Sequence, residues 1–325
     1  MDRRAFLGHS TSLLAAGALA PLAARSNDLP LLAPTLGGTS RPVELLGSYW
    51  TFAGGALPHT DKEFATFDFK DRVEALSKAG FRGMGIWHAD LAKILEKRSL
   101  KEMSQIFDDN GIKYVELEFL TDWFLDGEKK KKSDERKQLL LTAAEALGAR
   151  HVKVGDFDNL KYEMPKLIES FAALCKDAAD HGTKILFELM PFSMLTTLKE
   201  TLTMLDGAGV KNGGIMFDFW HVEKLKITHE ELASVPLKYI LGAEMNDGFR
   251  KPPPEWSLFE ETINHRKMCG TGEFDVRGIL AALRKAGYLG PYGVEVLSSE
   301  VRTWPLEQVT QTARSTTLTQ FTHAA

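Results

Sequence analysis

The chain has 325 residues, of which 44% are hydrophobic and 26% charged, and its formal net charge is −4. That composition supplies a sizeable core and excludes the disordered, collagen-like and disulfide-scaffold classes. With 40 Lys and Arg against 44 Asp and Glu there is no basic excess to neutralise nucleic-acid phosphates, so no nucleic-acid partner is expected. Cys175 and Cys269 could form one bridge at most and sit in no zinc-type spacing.

Residues 1–24 read as an export signal. A charged head, Asp2-Arg3-Arg4-Ala5-Phe6-Leu7, precedes an apolar run from about Leu13 to Leu22 and small residues at Ala18, Ala20, Ala23 and Ala24. The run has roughly half of the ~20 apolar residues that a spanning helix needs, so no stable membrane anchor is expected. Arg3-Arg4-x-Phe6-Leu7 resembles the twin-arginine signals of bacteria. The resemblance implies a transient encounter with the twin-arginine export machinery, cleavage, and a periplasmic mature protein. Residues 25–42 form a Pro/Gly/Ser-rich connector.

From residue 43 to 325 short apolar runs alternate with helix-period segments. The expected strands are Glu44–Trp50, Phe81–Trp87, Ile112–Phe119, His151–Gly155, Lys184–Leu189, Gly213–Phe219, Tyr239–Met245 and Tyr292–Leu297. The expected helices are Phe69–Ala79, Leu91–Asp109, Ser133–Leu147, Leu160–His181, Thr196–Leu205, Val276–Ala286 and Leu306–Thr317. Glycines 80, 111, 148, 182 and 287 stand where a left-handed residue closes a helix. Eight such units in one domain predict an α/β (β/α)8 TIM barrel, and no GxGxxG follows the first strand to suggest a dinucleotide fold. The run Glu128–Lys132 reads as a solvated loop and helix start.

In such a barrel the reacting groups come from the C-terminal ends of strands. Strands five to eight each end in an acid: Glu188, Asp218, Glu244 and Glu295. No basic residue lies inside those strand ends, so four converging carboxylates would repel one another without a cation between them. Lys153 and Asp156 on the fourth strand could pair. Glu116 and Glu118 share one face of the third strand, inward or outward.

The segments Phe187-Glu188-Leu189-Met190-Pro191, Phe217-Asp218-x-x-His221, Cys269-Gly270-Thr271-Gly272-Glu273-Phe274-Asp275 and Gly293-Val294-Glu295 resemble motifs of the xylose isomerase-like TIM barrels. This sugar isomerase/epimerase superfamily includes ketose 3-epimerases, hydroxypyruvate isomerase and inosose dehydratase. The resemblance implies that Glu188, Asp218 and Glu295 are metal ligands, that His221 contacts substrate or a ligand, and that Arg250 holds substrate. Many members carry His where this chain has Glu244. An all-oxygen set of Glu188, Asp218, Glu244 and Glu295 would favour one Mn²⁺ or Mg²⁺ ion over Zn²⁺; alternatively Glu244 is not a ligand and the metal is weak or absent. His88 and Trp50 are candidate pocket residues.

The function so implied is a divalent-metal-dependent isomerase or epimerase of an unphosphorylated sugar or keto-sugar, working through an enediolate with Glu188 and Glu295 moving the proton. Elimination from a keto-glycoside or inosose by the same site is the alternative. A non-catalytic sugar-binding or assembly subunit is the second. The expected partner is a small carbohydrate or cyclitol, and the sequence leaves homo-oligomerisation open.

Overall fold

The computed structural model describes residues 42–322, and the export signal and most of the connector lie outside them. The first half of the barrel comprises β1 (Leu45–Gly47), α1 (Tyr49–Phe52), α2 (Phe69–Ala79), β2 (Gly83–Trp87), α3 (His88–Leu95), α4 (Leu100–Asp109), β3 (Tyr114–Leu120), α5 (Gly127–Leu147) and β4 (His151–Val154). The second half comprises α6 (Met164–Asp180), β5 (Ile185–Glu188), α7 (Leu198–Ala208), β6 (Gly213–Asp218), α8 (Phe219–Lys224), α9 (His229–Ser234), β7 (Ile240–Met245), α10 (Leu258–Asn264), α11 (Val276–Lys285), β8 (Tyr292–Val294) and α12 (Leu306–Thr319). The eight strands run parallel and close in chain order, β8 pairing with β1. No helix among the described residues is long and apolar enough to cross a membrane.

Every expected strand is present, and the differences are instructive. The first is cut short at Gly47, because Ser48 begins a turn of helix that carries Trp50 off the strand. The segment expected as one helix from Leu91 to Asp109 is two. Ser99 makes a capping box with Glu102, each satisfying a backbone N–H of the other's turn, and so starts α4 afresh. The basic run at Glu128–Lys132 is exposed but belongs to the first turns of α5. The expected helix-closing glycines do adopt left-handed backbone, Gly80 with φ of 90° and Gly148 with φ of 61° among them. Cys175 and Cys269 are both free and buried.

Register sets the depth of the acids. Asp218 pairs with Glu244 across β6 and β7, and Glu244 pairs with Gly293 across β7 and β8, which places the two carboxylates at one level. Glu295 lies just beyond β8. Thr51 of α1 fixes it from both sides, donating to the Val294 carbonyl at 2.9 Å and accepting from the Val296 N–H at 2.7 Å.

Candidate active site

At the C-terminal mouth of the barrel, Glu188, Asp218, Glu244 and Glu295 are all buried, and one oxygen from each lies within 4.8 Å of the others. By composition and spacing this is the kind of cluster that holds a divalent ion. No basic residue lies inside strands five to eight, but two side chains from elsewhere in the barrel bring cations to these strand ends. Lys153, on β4, is 2.9 Å from Glu118, 2.8 Å from Glu244, 3.2 Å from Glu295 and 3.7 Å from Glu188. Arg266, in the segment after α10, is 2.9 Å from Asp218 and 3.0 Å from Glu295. The Lys153–Asp156 pairing is not formed: Asp156 instead accepts from Ser193 Oγ and the Met194 N–H.

The remaining oxygens also have partners. Ser48 Oγ donates to Glu244 Oε1 at 2.6 Å. Asp218 caps α8, so its Oδ1 accepts from the His221 N–H, while Oδ2 accepts from Asn246 Nδ2 at 2.6 Å as well as from Arg266. Glu188 is the least engaged, with His221 Nε2 at 3.4 Å and Lys153 at 3.7 Å. An ion held by these acids would share Glu244 Oε2 and Glu295 Oε1 with the Lys153 ammonium, and Asp218 Oδ2 and Glu295 Oε2 with the Arg266 guanidinium, and like charges repel at so short a separation. With Lys153 in this position, the residues do not fit a resident metal.

Burial of five acids beside two cations splits their proton affinities. Burial raises Glu188, Asp218 and Glu244 above the ordinary carboxylate range, and pushes Glu118 up to about 7 against the pull of Lys153. Burial also opposes ionisation of Glu295, but Lys153 and Arg266 together outweigh it and hold this carboxyl below its usual value. Burial holds His221 down at about 3, so its ring is neutral, and Nδ1 has no hydrogen-bond partner. Burial disfavours charge on Lys153 too, yet the surrounding glutamates reverse that and raise it.

A cleft above the cluster is lined at its floor by Glu118, Lys153, Glu188, His221, Arg266 and Glu295. Its walls are aromatic: Trp50 and Trp87 lie 4.9 Å apart by ring centroids, and Trp87 stacks on Phe119 at 5.9 Å. Trp50 therefore stands at the cleft. His88 lines an adjoining polar hollow with Asp122, Lys129 and Arg136, accepts from the Phe119 N–H, and is held neutral at about 3 by burial and then by Arg136. Arg250 is elsewhere. Its side chain is 52% exposed, pairs with Glu223 at 3.3 Å, and lines a separate hollow with Lys226 and His229. Arg266 supplies the guanidinium at the cleft in its place, lying over the Trp220 ring and bonded to Thr262.

Sequence reading missed Lys153, Arg266 and Glu118 as site residues. Glu116 and Glu118 are both buried, the former on Arg150 at 2.8 Å and the latter on Lys153. A lysine flanked by valines in β4 was the available signal, since a buried ammonium requires acids around it. Arg266 carried none, because it lies in a connecting segment.

A family model described as xylose isomerase-like TIM barrel matches residues 73–317. The chain is a member of the xylose isomerase-like TIM barrel family. Among the relatives of this xylose isomerase-like barrel is 3-dehydroshikimate dehydratase of Pseudomonas putida, 24% identical over 73% of the chain and 37% of that protein. The chain thus spans little more than a third of the length of that relative. The inosose isomerase of Bacillus velezensis is 24% identical over 77% of the chain and 91% of that protein. Solved structures show the same fold. The IolI protein with a bound zinc atom has a TM-score of 0.75 at 20% identity, covering 87% of this chain and 99% of that one. D-psicose 3-epimerase with D-fructose has a TM-score of 0.64 at 14% identity, covering 85% and 97%. These relatives are enzymes.

Proposed function

We propose that this protein is an isomerase or epimerase that moves a proton on the carbon beside a carbonyl, acting on an unphosphorylated sugar, keto-sugar or cyclitol. The observation that carries the reading is the cleft floor, where two buried cations, Lys153 and Arg266, stand beside the weakly engaged carboxylate of Glu188. Removing a proton beside a carbonyl places one negative charge on the carbonyl oxygen, next to the neighbouring hydroxyl, and fixed cations at the cleft floor stabilise that charge without reorganising. Lys153 and Arg266 act here as fixed charges at the cleft floor and not as hydrogen-bond donors to the substrate, since the Lys153 N–H groups are taken by Glu118, Glu244 and Glu295.

Glu188 is the proton acceptor, because its nearest donors are at 3.4 and 3.7 Å and burial strengthens it as a base. Glu295 comes from three strands away round the mouth and could return the proton to the opposite face. Its own charge is committed to Lys153 and Arg266, so Glu118, pushed up to about 7, is the readier donor. Return to the same carbon is epimerisation, and return to the next carbon is isomerisation. His221, neutral and facing the cleft, orients a hydroxyl. The indole and phenyl walls suit the C–H faces of a sugar ring, and no phosphate cradle is present in the sequence.

The dehydratase relatives favour a second reading, in which the same enediolate expels a β-hydroxyl instead of regaining a proton. The expected dependence on Mn²⁺ or Mg²⁺ has less support, and no step here runs through an ion. The test is incubation of the mature protein in D₂O with free ketoses, 3-keto-glycosides and inososes. Deuterium uptake beside the carbonyl supports the reading whatever product forms, and a protein that binds one of these compounds without exchange is a binding protein.

A further inference from the structure

We propose that the Lys153 ammonium is the resident cation of this barrel, occupying the seat of a divalent ion among the mouth acids, so that the native site holds no metal. An ammonium has three N–H donors, and Lys153 has three carboxylate oxygens within 3.2 Å, from Glu118, Glu244 and Glu295. Its donors are therefore fully used. Two of those three acids, Glu244 and Glu295, belong to the four-carboxylate cluster, and a third member, Glu188, is 3.7 Å from the same nitrogen. The ammonium and an ion bound to those acids would claim the same space.

Lys153 cannot easily leave. It sits on a barrel strand with its side chain 2% exposed, and withdrawing it would leave Glu118, Glu244 and Glu295 buried without their cation. The seat is also closed from behind. Ser48 holds the second oxygen of Glu244, and a Cβ at Gly293 would lie 2.7 Å from Glu244 Cγ and 2.8 Å from Ser48 Oγ, so only glycine admits this pose. Arg266 adds a second cation on the opposite side, bonded to Asp218 and Glu295.

The inference deepens the proton-transfer reading, since it names the charge that faces the substrate oxygens, but it stands on metal binding alone. Mature wild-type protein, treated with EDTA and desalted, is titrated with Mn²⁺, Mg²⁺ and Zn²⁺, with metal content read by elemental analysis and melting temperature followed in parallel. The expected result is well under one ion per chain after desalting and an unchanged melting temperature. In Lys153→Met, which keeps length and loses charge, about one Mn²⁺ per chain should bind and raise the melting temperature. A stoichiometric ion in the wild type that raises its melting temperature overturns the proposal. So does a folded Lys153→Met that binds nothing. Should that variant not fold, the wild-type titration decides alone. Deuterium exchange by the wild-type protein is a separate readout: exchange together with a stoichiometric ion overturns this inference and leaves the proton-transfer reading standing.

Discussion

Lys153 Nζ lies 2.8 Å from Glu244 Oε2, and this contact makes the acid at the end of β7 the counter-ion of a lysine. Ser48 holds its other oxygen at 2.6 Å. A carboxylate engaged on both oxygens positions its partners and has little left to offer a metal. The place where the chain departs from the expected motif is thus the place where the site is rebuilt around a side-chain cation.

Removing either partner should have unequal costs. Glu244→Gln leaves Lys153 with Glu118 and Glu295 and is expected to lower stability by about 1–3 kcal/mol. Lys153→Met leaves several acids without their cation and should cost about 3–5 kcal/mol at neutral pH, as for a broken buried pair. Urea denaturation of both variants measures this. Equal and small losses would show that the pair is not formed.

Gly293 gives a separate test of the same pose. Gly293→Ala forces Glu244 and Ser48 apart and should cost about 1–3 kcal/mol, with deuterium exchange falling at least tenfold. Gly148→Ala, at a left-handed position with nothing within 4 Å, should cost about 1–2 kcal/mol and leave exchange unchanged. Matched losses of exchange in the two variants would mean that stability, and not the site, sets the activity.

Stability should also report the mouth acids through pH. Glu118 is raised from 4.5 to about 7, so its contribution favours the folded state fully below about 4.5 and is given up as pH rises through about 7. Glu188, Asp218 and Glu244 act in the same direction, while Glu295, lowered, acts oppositely and loses its contribution in acid. The denaturation midpoint should therefore decline between pH 4.5 and 7, and Glu118→Gln should flatten part of that decline. An unaltered slope in the variant would remove Glu118 from the set.

Much of the barrel was legible because its signals are local. Strand runs, helix periods and closing glycines each occupy a few adjacent residues, and the four mouth acids recur at or next to the ends of four successive strands. The cation network was not. Lys153 meets Glu118, Glu244 and Glu295 from positions 35, 91 and 142 residues away, and only barrel closure brings them together. Arg266 and Arg250 show the other limit. Both follow β7, and nothing in the local pattern tells which of the two turns inward to Asp218 and which pairs with Glu223 on the outside.

The N-terminal segment makes a prediction of its own. Replacing Arg3 and Arg4 together with Lys should leave the precursor uncleaved in the cytoplasm, as followed by fractionation and immunoblotting. Normal export of the double variant would remove the twin-arginine reading and leave the barrel untouched.

The most direct measurement is deuterium incorporation by wild type and Glu188→Gln, each in D₂O with EDTA, against a ketose, a 3-keto-glycoside and an inosose. The expected result is uptake beside the carbonyl of at least one compound by the wild type, undiminished by EDTA, and a loss of about 10²–10⁴-fold in Glu188→Gln. Uptake that persists unchanged in folded Glu188→Gln, or no uptake from any of the three compounds, would contradict proton transfer by Glu188 at this cleft.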